Sequence, residues 1–158
     1  MEFYVDGGCR NNGYTNATGP AAACLMARSG SYWSKTRHLD RWPVTPTNQR
    51  AEIVAIIIAL EWALERYDDL NGYPRLQVTI HSDSRYAVGC MTDWIYKWSQ
   101  NGWVNARGND VANRDLIQEA SDLDDRVKEL GRVDYVFVPR EQNRNADEEC
   151  NEALDEQE

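Results

Sequence analysis

The chain has 158 residues, with 26 Asp and Glu against 17 Lys and Arg and a net charge of −9. That length suits one domain, residues 1–158, able to bury roughly two-thirds of its unfolded surface. The acidic excess excludes a nonspecific nucleic-acid sponge, which needs clustered Lys and Arg, but leaves room for a local basic groove. No stretch approaches the ~20 apolar residues of a membrane span, so no membrane partner is expected. Met1-Glu2-Phe3-Tyr4-Val5 enters a strand pattern at once, without a visible export or organelle signal. Cys9, Cys24, Cys90 and Cys150 are widely spaced and form no Cys-x-x-Cys pair. They read as reduced, mostly buried thiols of an intracellular protein, cytoplasmic or nuclear, and a monomer is expected.

In chain order, Phe3 to Asp6 reads as a short strand running into Gly7-Gly8, with Asn11-Asn12-Gly13 as a turn. Pro20 to Arg28 is a second strand of small and apolar residues, and Ser29-Gly30 turns the chain into a third, Ser31 to Leu39. Two turn-linked strands after the first predict an antiparallel meander. The stiff segment Trp42-Pro43-Val44-Thr45-Pro46 delivers a helix over residues 47–67, capped by Thr47 or Asn48. From Ile53 to Leu64 that helix is too apolar all round for a surface position, so it is central and packed on more than one side.

Asn71-Gly72-Tyr73-Pro74 ends the helix, and the alternating, β-branched Leu76 to His81 forms a fourth strand, parallel to an earlier one. Two separate helices are expected over 85–91 and 93–100, stopped by Asn101-Gly102. A loop from Trp103 to Val111, a helix over 113–130, a strand over 133–138 and a last amphipathic helix over 145–154 complete the chain. The order βββαβαααβα predicts an α/β fold with one five-stranded mixed sheet flanked by helices.

Four acids fall at telling places. Asp6 lies in the first strand, Asp83 at the carboxyl end of the fourth, Glu52 early in the central helix and Asp147 at the head of the last. Taken singly, each also fits a turn, a cap or a first-turn acid. In open α/β sheets, however, sites form beyond the carboxyl ends of the strands, so neighbouring central strands would set Asp6 beside Asp83. A helix crossing the sheet could aim Glu52 at the same point. Carboxylates so close repel one another unless a cation stands between them. Mg²⁺, a hard ion that takes oxygen ligands, meets that need, and two such ions ~4 Å apart activate water and stabilise the leaving oxygen of a phosphodiester.

Along nearly its whole length the chain resembles type 1 ribonuclease H. The resemblance is carried by Asp6-Gly7-Gly8, by Thr47-Asn48-Gln49-Arg50-Ala51-Glu52, and by Ser82-Asp83-Ser84 with Tyr86. It continues through the Trp-rich segment from Thr92 to Trp103, Asn113-Arg114-Asp115-Leu116, and the closing pair Asn143 and Asp147. It implies a ribonuclease H-like fold and an endonuclease that cuts the RNA strand of RNA·DNA hybrids. Asp6, Glu52, Asp83 and Asp147 would be catalytic carboxylates holding two Mg²⁺ ions, with Mn²⁺ as a substitute.

By the same resemblance, Asn12, Asn48 and Gln49 match positions that touch the RNA strand, where an amide's donor and acceptor suit a 2′-hydroxyl. Trp94, Trp98 and Trp103 belong to a segment that, in this family, grips the DNA strand, although aromatic residues at helical spacing also serve as core. Asn113 with Thr47 resembles a pocket for a DNA phosphate. Three departures stand out. Ser99-Gln100-Asn101 replaces a basic run, Thr45 stands where some relatives have Arg, and the loop over 138–144 is short and lacks a His. Arg140, Glu141 and Arg144 are the candidates to assist product release there. A hybrid-binding module with weak catalysis, or the ribonuclease H domain of a reverse transcriptase, are the alternative readings.

Overall fold

The computed structural model describes residues 1–8, 19–40 and 44–157. Cys9, Asn12 and Trp42 therefore lie outside the described residues. Strands β1 (Glu2–Gly7), β2 (Pro20–Met26) and β3 (Tyr32–His38) form the expected antiparallel meander. Helix α1 (Asn48–Asp69) then carries the chain to β4 (Leu76–Ser82), which pairs parallel to β1, and β5 (Gly131–Phe137) pairs parallel to β4. The sheet order is β3-β2-β1-β4-β5, so β1 and β4 are central neighbours.

The all-round apolar character of α1 is explained by what surrounds it. Phe3 and Val5 of β1, Ala21, Ala23 and Leu25 of β2, and Val78 and Ile80 of β4 pack on one side. Ile117, Ala120 and Val127 of α4 (Arg114–Leu130) close the core with them. Residues from Ile53 to Leu60 are buried without a break, so no turn of this helix needs a polar face until Glu61. Helix α5 (Arg144–Gln157) instead packs along β2 and β1, where Cys150 Sγ donates to Pro20 O at 3.4 Å. Cys24, Cys90 and Cys150 are unbridged and buried. No helix among the described residues is long and apolar enough to cross a membrane.

One expectation needs correction. The two helices predicted after β4 are not separated: α2 (Arg85–Gly89) runs through a single π-helical turn at Cys90–Trp94 into α3 (Ile95–Asn101). Thr92 stands between the two expected spans, and its side chain competes with the helix for backbone hydrogen bonds. Thr92 Oγ1 donates to Val88 O at 2.9 Å, and buried Cys90, Met91 and Ile95 hold the segment against the core, so packing overrides the local preference. Gly102 then ends α3 in the left-handed conformation, φ 80.

Candidate active site

The register of the two central strands builds the site. Val5 of β1 lies beside Ser82 of β4, so Asp6 and Asp83, one residue further on, leave adjacent strand ends together. Asp83 is steadied between two hydroxyl turns: Ser82 Oγ accepts from Ser84 N at 3.1 Å, and Ser84 Oγ caps α2 by accepting from Ala87 N at 3.1 Å. Glu52 comes from α1. Its approach depends on Gly7, because a Cβ there would stand 2.3 Å from the carbonyl carbon of Ala51 and 2.4 Å from the amide nitrogen of Glu52. No side chain fits in that gap. The Gly of the Asp-Gly-Gly string thus lets a helix backbone rest directly on the strand end that bears Asp6.

One carboxylate oxygen from each of Asp6, Glu52 and Asp83 lies within 4.8 Å of the other two. Asp147 borders the same cleft from the first turn of α5 and faces Asp6, but stands outside that group of three. Its helix is tied down by Asn143, fully buried, whose Nδ2 donates to Val5 O at 2.9 Å and whose carbonyl accepts from Asp147 N at 3.1 Å. Asn143 was legible as part of a motif, whereas its function as the peg joining α5 to β1 was not. The cleft has a volume of about 330 Å³ and is also lined by Asn48, Arg140 and Cys150.

The electrostatics of the cluster are unfavourable for the protein alone. Burial, and then the nearby Asp83, push Asp6 up from 3.8 to about 7. Glu52 is held well above its ordinary range by burial and then by Asp6, and its Oε2 is buried with no hydrogen-bond partner. A buried carboxylate oxygen without a donor costs free energy that a folded protein normally avoids. Among the described residues, the three converging acids have no Lys or Arg between them. Their donor set is oxygen only, which suits a hard divalent cation.

The other described site residues predicted from the sequence fall in three places. Asn48 and Gln49 are exposed at the head of α1, and Asn48 lines the acidic cleft. Thr47 caps α1: its Oγ1 accepts from Arg50 N at 3.1 Å, which leaves the hydroxyl hydrogen available to donate. Asn113 lies away from the acids, just ahead of α4. It has a left-handed backbone, φ 62, and its Nδ2 donates to Tyr86 Oη at 2.9 Å.

From the first turn of α1, Arg50 reaches toward Asn113, its buried guanidinium clamped on Asp115 through Nη1 at 2.9 Å and Nη2 at 2.7 Å. This bidentate pair was not foreseen. Both residues stand inside the recognised strings, but nothing local in the sequence says that they meet.

The aromatic residues form a ladder: Tyr86 to Trp94 at 6.0 Å, Trp94 to Trp98 at 5.7 Å and Trp98 to Trp103 at 6.3 Å between ring centroids. Trp98 and Trp103 pack half-buried on the core, while Trp94 is 38% exposed. Tyr86, at the other end of the ladder, also packs half-buried on the core, so Trp94 is the most open ring of the four.

A mixed sheet of order 3-2-1-4-5, with its acids gathered where parallel β1 and β4 end, is the ribonuclease H-like architecture. The RNase H family model matches residues 1–155, and the chain belongs to the ribonuclease H family of enzymes. It is 34% identical to the ribonuclease H of Nitrosomonas eutropha over 80% of this chain and 72% of that protein. The identity to the ribonuclease H of Cereibacter sphaeroides is 33%, over 92% of this chain and 88% of that one. Among solved structures, it is similar to LC11-RNase H1 in complex with an RNA/DNA hybrid. The TM-score is 0.65 at 22% identity, covering 98% of this chain and 96% of that chain.

Proposed function

We propose that the chain hydrolyses the RNA strand of RNA·DNA hybrids with the help of two divalent cations, Mg²⁺ or in its place Mn²⁺, held by Asp6, Glu52, Asp83 and Asp147. The observation that carries this reading is the meeting of three carboxylates from three elements within 4.8 Å, with Glu52 Oε2 buried and unpartnered. Asp6, Glu52 and Asp83 would hold one ion, and Asp6 with Asp147 the other. Such ions supply Lewis-acid activation of water and neutralise charge on the departing oxygen of the phosphodiester.

The chain's own residues do the placing. Gly7 keeps Glu52 within reach of Asp6, and Asn143 keeps Asp147 on the same cleft. Asn48 and Gln49, with Asn12, offer paired donors and acceptors to a 2′-hydroxyl, the group that distinguishes RNA from DNA. Thr47 and Asn113 take a phosphate of the DNA strand, and the Trp94, Trp98 and Trp103 ladder gives that strand's sugars an apolar bearing. The hybrid-bound state of LC11-RNase H1, a protein of the same fold, supports this choice of substrate. Arg140 is an exposed cation on the rim of the acidic cleft. It would contact the scissile region and ease departure of the cut end, in the loop that lacks a His.

The test compares RNA·DNA, RNA·RNA and DNA·DNA duplexes of one labelled sequence, with Mg²⁺ or with chelator. Cleavage confined to the RNA strand of the hybrid, and lost in chelator, is expected. Equal cutting of all three duplexes would remove the specificity assignment, and hybrid binding without cutting would favour a binding module.

A further inference from the structure

We infer that Arg50 is a positioning residue for hybrid binding, acting through Asn113 and not on the reacting atoms. The inference rests on the proposed reading of Asn113 as a contact to the DNA strand. Arg50 has only 11% of its side chain exposed and spends its fork on Asp115, yet the pair lies at a junction. Its backbone N–H is taken by the Thr47 hydroxyl, and its Nη1 also lies 3.5 Å from Asn113 Oδ1. A guanidinium can only donate, so the carbonyl end of the Asn113 amide must face Arg50. The amide nitrogen is thereby turned toward Tyr86 Oη at 2.9 Å, with its second N–H left for a phosphate oxygen.

Two further features make this clamp consequential. Asn113 has φ 62 and makes no side-chain cap bond to α4, so local helix chemistry does not hold its amide in place. Asp115 sits in the first turn of α4 with 58% of its side chain exposed, beside the surface offered to the phosphate. The guanidinium holds the Asp115 carboxyl below its ordinary range, and Arg50 also cancels that negative charge where a polyanion must approach. Removing Arg50 therefore frees the Asn113 amide and exposes a repulsive carboxylate together.

The experiment is a double-mutant cycle on hybrid cleavage, with KM and kcat measured separately and hybrid binding measured by fluorescence anisotropy. Arg50→Gln is expected to raise KM and weaken hybrid binding about tenfold, with kcat within about twofold; part of the loss should disappear at higher salt, because the unmasked Asp115 charge is screened. In an Asn113→Ala background the same substitution should cost at most about threefold, since the group it positions is gone. Tyr86→Phe, which loosens the clamp from its other side without changing charge, should raise KM a few-fold; it keeps the test alive if Arg50→Gln does not fold. Unchanged KM in both Arg50→Gln and Tyr86→Phe, a loss confined to kcat, or full additivity with Asn113→Ala would overturn the inference. Failure of the unmutated protein to bind or cut hybrid would instead strike the proposed function, and the inference would fall with it.

Discussion

Asp124 and Asp6 are both buried carboxylates, but their surroundings differ in kind. Asp124 is 1% exposed and paired within the protein: Tyr135 Oη donates to Oδ1 at 2.7 Å. Lys128 Nζ meets Oδ2 at 2.8 Å, as an ion pair off the ideal hydrogen-bond direction. Asp6 is 7% exposed and faces Glu52, Asp83 and Asp147, all of its own sign. The first arrangement joins α4 to β5 and asks for nothing more. The second gathers acids alone, a pattern that clusters at functional sites.

The contrast can be broken in several ways, and the largest effect falls on activity. Asp83→Asn should lower hybrid cleavage by on the order of 10³-fold or more, as expected when several kcal/mol of charge stabilisation are removed. Its circular dichroism spectrum and unfolding midpoint should stay at or above those of the parent. Gly7→Ala attacks the same site sterically, since the new methyl must displace the α1 backbone. It should reduce cleavage about 100-fold and destabilise the fold by roughly 2–4 kcal/mol, read by urea unfolding.

At the satisfied acid the order is reversed. Asp124→Ala should cost roughly 2–4 kcal/mol of stability, because it strands Lys128 and Tyr135. Cleavage per folded molecule should change less than twofold. A matching loss of activity at 10 °C, where the variant is folded, would argue that the two acids do not differ in the way described. The smallest expected effect is that of Arg140→Gln, about three- to tenfold in steady-state turnover. Single-turnover cleavage should be less affected than multiple turnover if Arg140 acts on release of the cut end.

The parts of this design written in local pattern are legible in the sequence. The β-branched alternation of β4, the turn at Ser29-Gly30, the uninterrupted apolar run of α1 and the acids at strand ends all announce themselves. Their convergence was inferable because parallel neighbours must place equivalent ends together. The α2–α3 junction differs from expectation because burial of Cys90, Met91 and Ile95 overrides the break expected at Thr92. The clamp of Arg50 on Asp115 and the bond from Asn143 to Val5 span 65 and 138 residues. No window of sequence contains both partners, so only the fold reveals them. The ribonuclease H resemblance located the strings in which these residues sit, but not the contacts they make.

The central claim is that the acids of the cleft are frustrated until a cation joins them, and the sign of its pH dependence is fixed. Asp6 titrates at about 7 in the folded chain, against an ordinary 3.8, so between those values the folded state holds a proton that the unfolded state has released. Stability without metal is therefore highest, as far as this group is concerned, below about pH 4. The contribution of Asp6 declines as pH rises and is gone above about 7, where other interactions alone hold the fold. The most direct measurement is the unfolding midpoint at pH 7.5 in chelator and in millimolar Mn²⁺, for the parent and for Asp6→Asn. The account predicts that Mn²⁺ raises the parent midpoint by several degrees, and that Asp6→Asn unfolds higher than the parent in chelator while gaining much less from Mn²⁺. A parent midpoint indifferent to Mn²⁺, together with an Asp6→Asn variant no more stable in chelator, would contradict it.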